Sequence, residues 1–154
     1  MPAAKPPVAE LGAHLGYWMR AVSNHVSHAF ARKLAGSGVT VAEWAAMRML
    51  YGQPPMPPSQ LAARMGMTRG AITRLADRLI AKGLLARRAE PEDGRAQTLS
   101  LTARGSGLVP VLADFADQNE EECFRHLSPA DRRALDRILK ATAATLRLTA
   151  VPID

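Results

Sequence analysis

Three arginines, Arg69, Arg74 and Arg78, lie in a stretch whose apolar residues, Ala71, Ile72, Leu75, Leu79 and Ile80, recur with the period of a helix. Thr73, Asp77 and Lys82 fall on the arginine side. Guanidinium groups along one helical face pair with phosphates, and pair bidentately with guanine O6 and N7. The chemistry on offer is therefore recognition of a nucleic acid. A second arginine site follows in Asp93-Gly94-Arg95, where Asp93 can hold the arginine or its turn. Residues 64–104 hold nine basic side chains (Arg64, Arg69, Arg74, Arg78, Lys82, Arg87, Arg88, Arg95, Arg104). Four acids stand against them (Asp77, Glu90, Glu92, Asp93), so 9 − 4 = +5 of the chain's net +6 sits there. Clustering of this kind favours a polyanion, nucleic acid ahead of membrane.

The elements that must position these groups are legible around them. Thr68 can cap the arginine helix with its hydroxyl, and Gly83 can end it by taking positive φ. Before it, Pro58-Ser59-Gln60-Leu61-Ala62-Ala63-Arg64-Met65-Gly66 predicts a short helix with Ser59 as N-cap and an apolar face of Leu61, Ala62 and Met65. Gly66-Met67 leaves a tight turn. Helix, glycine turn, second helix is helix-turn-helix spacing, with the second helix in the major groove. After it, Leu84–Ala89 and the alternating Gln97-Thr98-Leu99-Ser100-Leu101 flank Pro91-Glu92-Asp93-Gly94-Arg95, which predicts a hairpin. Helix-turn-helix plus hairpin is a winged helix. Its contacts are expected to be Thr68, Arg69, Gly70, Thr73, Arg74 and Arg78 in the major groove, and Ser59 and Gln60 at backbone phosphate. Arg87 on the first wing strand joins this DNA-binding set, and Arg95 at the wing tip would reach the minor groove.

Long helices frame this unit. From Leu11 an apolar stripe (11, 15, 18, 19, 22, 26, 30, 34) predicts one helix ending near Gly36. Thr40 with Glu43 forms a capping box for the next helix, which carries Val41, Trp44, Ala45, Met47, Met49, Leu50 and Tyr51. Pro54, Pro55, Pro57 and Pro58 then exclude helix. Thr102 can cap a helix running to about His126, with Pro110 set to bend it. Ser128-Pro129-Ala130-Asp131 starts a last helix that is expected to bury Leu135, Ile138, Leu139, Thr142 and Leu146. The first and fifth helices would each reach about 36 Å, more than a winged helix of this size can cover. A second copy is the economical partner for their outer halves and for the C-terminal helix. The fold class is mostly α: about six helices with a two- or three-stranded wing. Residues 40–103 form the winged-helix part, and 9–36 and 104–147 the dimerisation helices.

Leu61-Ala62, Thr68-Arg69-Gly70-Ala71-Ile72-Thr73-Arg74-Leu75, Leu79, Gly83-Leu84-Leu85, Asp93-Gly94-Arg95 and Leu99-Ser100-Leu101-Thr102 together resemble the MarR family of bacterial transcription regulators. The resemblance runs over roughly residues 10–147, and the Asp-x-Arg wing is its most specific part. It implies a homodimer joined by its terminal helices, one winged helix per subunit, acting on double-stranded DNA, most often as a repressor. It implies a minimal third wing strand near the prolines. It also implies a small aromatic anion as effector, bound between the dimer helices and the winged helix. Trp18, Val22, Trp44, Met47, Arg48, Tyr51, Val111 and Phe115 are the candidates to line that pocket, with ordinary core packing as the alternative for each.

Other chemistries carry less. His25 and His28 are helical neighbours, but two histidines without a nearby carboxylate or cysteine do not make a metal site. The lone Cys123 excludes an intrachain disulfide framework and reads as an inert buried thiol. No Gly-x-Ser-x-Gly elbow, phosphate loop or His-Glu-x-x-His is present, so neither catalytic residues, nor a cofactor, nor a metal is expected. The N-terminal stretch lacks the apolar run of a signal peptide and no segment reads as membrane-spanning, which places the expected chain in the cytoplasm. The competing class is a helical ligand-binding or interaction module without DNA binding; salt-dependent binding to duplex DNA separates the two.

Overall fold

The computed structural model describes residues 7–89, 97–149 and 152–153. A 3₁₀ turn, Leu11–Ala13, precedes α1 (Leu15–Ala35), α2 (Val41–Leu50), α3 (Pro58–Met65) and α4 (Arg69–Ala81). Strands β1 (Leu85–Ala89) and β2 (Gln97–Leu101) follow, then α5 (Ala103–Phe124) and α6 (Pro129–Thr145). The strands pair antiparallel with Leu85 opposite Leu101 and Ala89 opposite Gln97. The third wing strand is reduced to one bridge, Met56 with Leu99, bonded in both directions at 2.9 and 2.7 Å. This is the winged-helix architecture expected.

Side chains start most of these helices. The Thr40 hydroxyl accepts from the Glu43 N–H while the Glu43 carboxylate accepts from the Thr40 N–H, a complete capping box. Thr68, Thr102 and Ser128 cap α4, α5 and α6 by accepting from Ala71, Gly105 and Asp131 N–H groups. Each such cap is worth about 1 kcal/mol. Ser59 is not a cap: α3 opens two residues earlier, with Pro57 flanking and Pro58 at the first position. Pro58 has no N–H to leave unpaired and its φ is preset for helix, so the proline takes the start and Ser59 falls in the first turn. The first helix also differs from expectation. Its opening is the 3₁₀ turn followed by extended His14, and the Trp18 indole N–H donates to the Gly12 carbonyl at 2.8 Å. Gly12 and Gly16 weaken helix propensity there, and the indole bond secures the break.

The core lies between α2, α3, α4, the wing and the middle of α5. Met47, Ile72, Leu79, Leu99 and Leu112 are fully buried, each contributing about 1.5–3 kcal/mol of burial. Gly105 is required where α5 meets the wing: a Cβ there would overlap the Leu84 carbonyl oxygen.

The outer helices are a different case. Along α1, only Leu34 is buried, while Leu15 is 83% exposed and Trp18, Met19 and Val22 are about half exposed. No residue of α6 is buried within the chain. Ile138, Leu139 and Leu146, expected to be inside, are 51%, 45% and 62% exposed. Among the described residues nothing covers them, because α6 departs from the core after the Ser128 cap. Cys123 is half-buried rather than buried. Among the described residues no helix is long and apolar enough to cross a membrane.

Candidate nucleic-acid interface

The turn between α3 and α4 is made by Gly66, whose φ of 64° lies in the left-handed region, with the Met67 N–H donating to the Ala62 carbonyl at 3.0 Å. That turn sets α4 across α3 with Ile72, Leu75, Ala76 and Leu79 inward. Arg69, Gly70, Thr73, Arg74, Asp77 and Arg78 are left facing outward. Thr73 donates its hydroxyl proton to the Arg69 carbonyl at 2.9 Å, so it offers a ligand only lone pairs. The Arg74 guanidinium lies back along the helix, 3.6 Å from where a Gly70 Cβ would stand. A bare Gly70 thus leaves room for the guanidinium over the first turn. Ser59 and Gln60 are exposed on the first turn of α3.

The recognition helix is braced at its far end. Gly83, with φ of 71°, turns the chain into β1. The Thr102 hydroxyl donates to the Gly83 carbonyl at 2.7 Å, and Arg104 donates to the Lys82 carbonyl at 3.1 Å. Arg87 on β1 pairs with Asp77 at 2.9 Å, fastening the wing to α4. Lys82 donates to the Glu43 carboxylate at 2.7 Å and to the Gly38 carbonyl at 2.6 Å. The Arg78 Nε stands 3.5 Å from the other Glu43 oxygen, too poorly aligned for a hydrogen bond, so that contact is charge on charge. Burial of Glu43 works to raise its pKa. The Lys82 hydrogen bond, the Thr40 N–H and the charges of Lys82 and Arg78 outweigh it, and the carboxyl lies below its ordinary value. Asp93 and Arg95 lie outside the described residues.

A cleft of about 810 Å³ opens between α1, α2 and α5. Phe30, Trp44, Ala45 and Phe124 supply apolar wall, Arg48 a cation, and His28 and Asn119 polar groups. The buried Asn119 amide donates to the Val26 carbonyl at 3.1 Å, while its Oδ1 has no partner among the described residues. Of the predicted pocket residues, only Trp44 and Arg48, one turn apart on α2, line this cleft. Met47 is fully buried in the core, and Phe115 packs against that core. Tyr51 ends α2 with the Arg48 guanidinium 5.9 Å over its ring. Trp18, Val22 and Val111 are exposed away from the cleft. The expectation grouped aromatic and apolar residues of α1, α2 and α5 without knowing which faces meet. It also missed Asn119, although a polar residue seven after the buried Leu112 on an apolar stripe was a usable signal. It read Glu43 as a cap only, since its cations lie about forty positions away in the chain. Among the described residues no three His, Cys, Asp or Glu side chains gather as a metal site would require.

The model of the MarR family matches residues 37–96, which hold α2, α3, α4 and β1. A putative transcriptional regulatory protein for the hcr operon of Thauera aromatica is 26% identical over 131 residues, 84% of this chain and 79% of that one. The crystal structure of a probable transcriptional regulator from Pseudomonas aeruginosa superposes with a TM-score of 0.76 at 27% identity, covering 86% of this chain and 99% of that one. The Bordetella bronchiseptica protein BpsR, described as having its DNA binding regulated by 6-hydroxynicotinic acid, gives a TM-score of 0.77 at 23% identity over 89% and 98% of the two chains. Over residues 37–96 the chain is similar to the MarR family, and over most of its length it shares the fold of these regulators.

Proposed function

We propose that this protein is a transcription regulator that binds double-stranded DNA as a homodimer and is released from it by a small aromatic anion, acting as a repressor. The observation that carries the reading is α4: its apolar back is buried, both ends are fixed, and an arginine-bearing front faces outward. Thr68, Arg69, Gly70, Thr73 and Arg74 face the major groove, where Arg74 reads guanine. Ser59 and Gln60 meet backbone phosphate. Arg87, held by Asp77, stands beside this face for a further phosphate. Arg95 enters the minor groove, steadied by Asp93. Residues 40–103 do the reading, and 9–36 with 104–147 join the two copies through the apolar faces that one chain leaves open.

The cleft supports the effector half of the reading. Arg48 supplies the charge for a carboxylate, Trp44 and Phe30 the ring contacts, and the unpartnered Asn119 oxygen an acceptor for a hydroxyl or ring N–H. The regulation of BpsR by 6-hydroxynicotinic acid is an example of that ligand chemistry in a protein of the same fold. The test is selection of bound sequences from random duplex DNA, repeated with hydroxylated aromatic acids present. Enrichment of a pseudo-palindrome with half-site centres about 10 bp apart, reduced by at least one acid, is expected. Absence of any enriched sequence would overturn the regulator reading; enrichment that no such acid reduces would overturn the effector reading alone.

A further inference from the structure

Arg78 and Lys82 close the recognition helix on the side facing α2, with side chains 54% and 38% exposed. Both are drawn to Glu43, whose side chain is 1% exposed. A carboxylate withdrawn so far from water persists as an ion only where cations and N–H groups compensate it, and here they come from two directions. The Thr40 N–H holds one Glu43 oxygen from within α2, and Lys82 holds the same oxygen from the end of α4. Lys82 also reaches the Gly38 carbonyl ahead of α2. One anion therefore joins the start of α2 to the last turn of α4. Because α4 ends at that point in a glycine turn, its axis has no other side-chain tie to α2 among the described ion pairs.

We propose that Glu43 is a positioning residue for DNA recognition: it fixes the tilt of α4 in the groove through Lys82 and Arg78, and Arg78 serves this clamp instead of a phosphate. The proposal rests on the DNA-binding reading above and goes beyond it, since it separates the outward arginines into one that reads, Arg74, and one that braces, Arg78.

The sign of one effect discriminates. If Glu43 had no positioning role, neutralising it would remove a negative charge near DNA and release Arg78 toward phosphate, so duplex binding would tighten and grow more salt-sensitive. With Glu43 as positioner, Glu43→Gln loosens α4 and binding weakens. The experiment is a duplex-binding titration across a salt series on the full chain, using the selected sequence and a mixed-sequence duplex, for wild type, Glu43→Gln, Lys82→Met and Arg78→Ala. Glu43→Gln and Lys82→Met are expected to weaken binding to the selected sequence by about fivefold or more. Arg78→Ala is expected to weaken it less, with the slope of log K against log salt unchanged. In the double variant Glu43→Gln with Arg78→Ala, the loss should match the larger single loss rather than the product.

Tighter binding by Glu43→Gln, or a slope lowered by about one per subunit in Arg78→Ala, overturns the proposal. Amide hydrogen exchange in the DNA-free protein supplies a readout independent of DNA. Faster exchange confined to the end of α4 in Glu43→Gln and Lys82→Met is expected, and unchanged exchange there overturns the clamp. A wild type that binds no duplex defeats the DNA-binding reading and leaves this exchange result standing on its own. If Glu43→Gln does not fold, Lys82→Met, which keeps the methylene stem, carries both measurements.

Discussion

The winged-helix part and the flanking helices are built from similar apolar residues yet treat them in opposite ways. In α4, Ile72, Leu75 and Leu79 disappear into the core of the same chain. In α6, Ile138, Leu139 and Leu146 occupy an equally regular stripe and remain in solvent. The N-terminal half of α1 follows α6, while its C-terminal half, with Leu34, follows α4. The contrast teaches that amphipathic period reports a face that needs covering, not which molecule covers it. The reading part is complete in one copy. The flanking helices, 21 and 22 residues in α1 and α5 and so about 31 and 33 Å long, leave an apolar face open, which the proposed second copy would cover.

The sharpest way to break this contrast is to charge the open face. Ile138→Glu with Leu139→Glu is expected to leave the winged helix folded, abolish the dimer, and weaken binding to a two-half-site duplex by about 100- to 10,000-fold, the loss of bivalent engagement. Circular dichroism, scattering mass and a binding titration check it; retained dimer mass would show that α6 is not the contact. A change where the two regions join acts on the fold itself. Gly105→Ala pushes a Cβ into the Leu84 carbonyl and is expected to destabilise the chain by about 1–3 kcal/mol, read from denaturant midpoints.

Within the reading part, Arg74→Ala should cost about 1–3 kcal/mol on the preferred sequence and flatten preference at one base pair per half-site. Dimer mass and helix content should be untouched, because the residue is on the outer face. Arg95→Ala should weaken many sequences nearly alike and lower the log K against log salt slope by about two per dimer, one for each wing. An unchanged slope would show that the wing does not reach DNA. The smallest effect concerns acid. Glu43 titrates below its ordinary value of 4.5 in the folded chain, so its ionised form stabilises fully above that value. That stability is lost as pH falls through the folded pKa. Wild type should therefore lose more stability than Glu43→Gln between neutral pH and pH values below 4.5, as thermal midpoints would show.

Local signals were read well from sequence because each acts within one turn of chain. Thr68, Gly83, the Thr40–Glu43 box and Ser128-Pro129 all do what their types and spacing predict. Ser59 failed as a cap because two candidates adjoined, and the proline, with no N–H to satisfy, took the start. The cleft was read poorly. Whether Trp44 or Met47 faces it depends on how α2 rotates against α1 and α5, which no local pattern states. Asn119 and Glu43 are long-range cases of the same kind: their partners, Val26 and Lys82, lie on other helices. The stripe of α6 was legible as apolar and was read as part of the dimerisation helices; one chain alone leaves it exposed.

The central claim is that two copies, each complete in its winged helix, read one duplex together. Light scattering of the protein bound to its selected duplex tests it most directly. The account predicts a protein mass in the complex of about twice 16.6 kDa, falling with Ile138→Glu and Leu139→Glu together to one chain per duplex at much lower affinity. A wild-type complex holding one chain of 16.6 kDa at full affinity would contradict it.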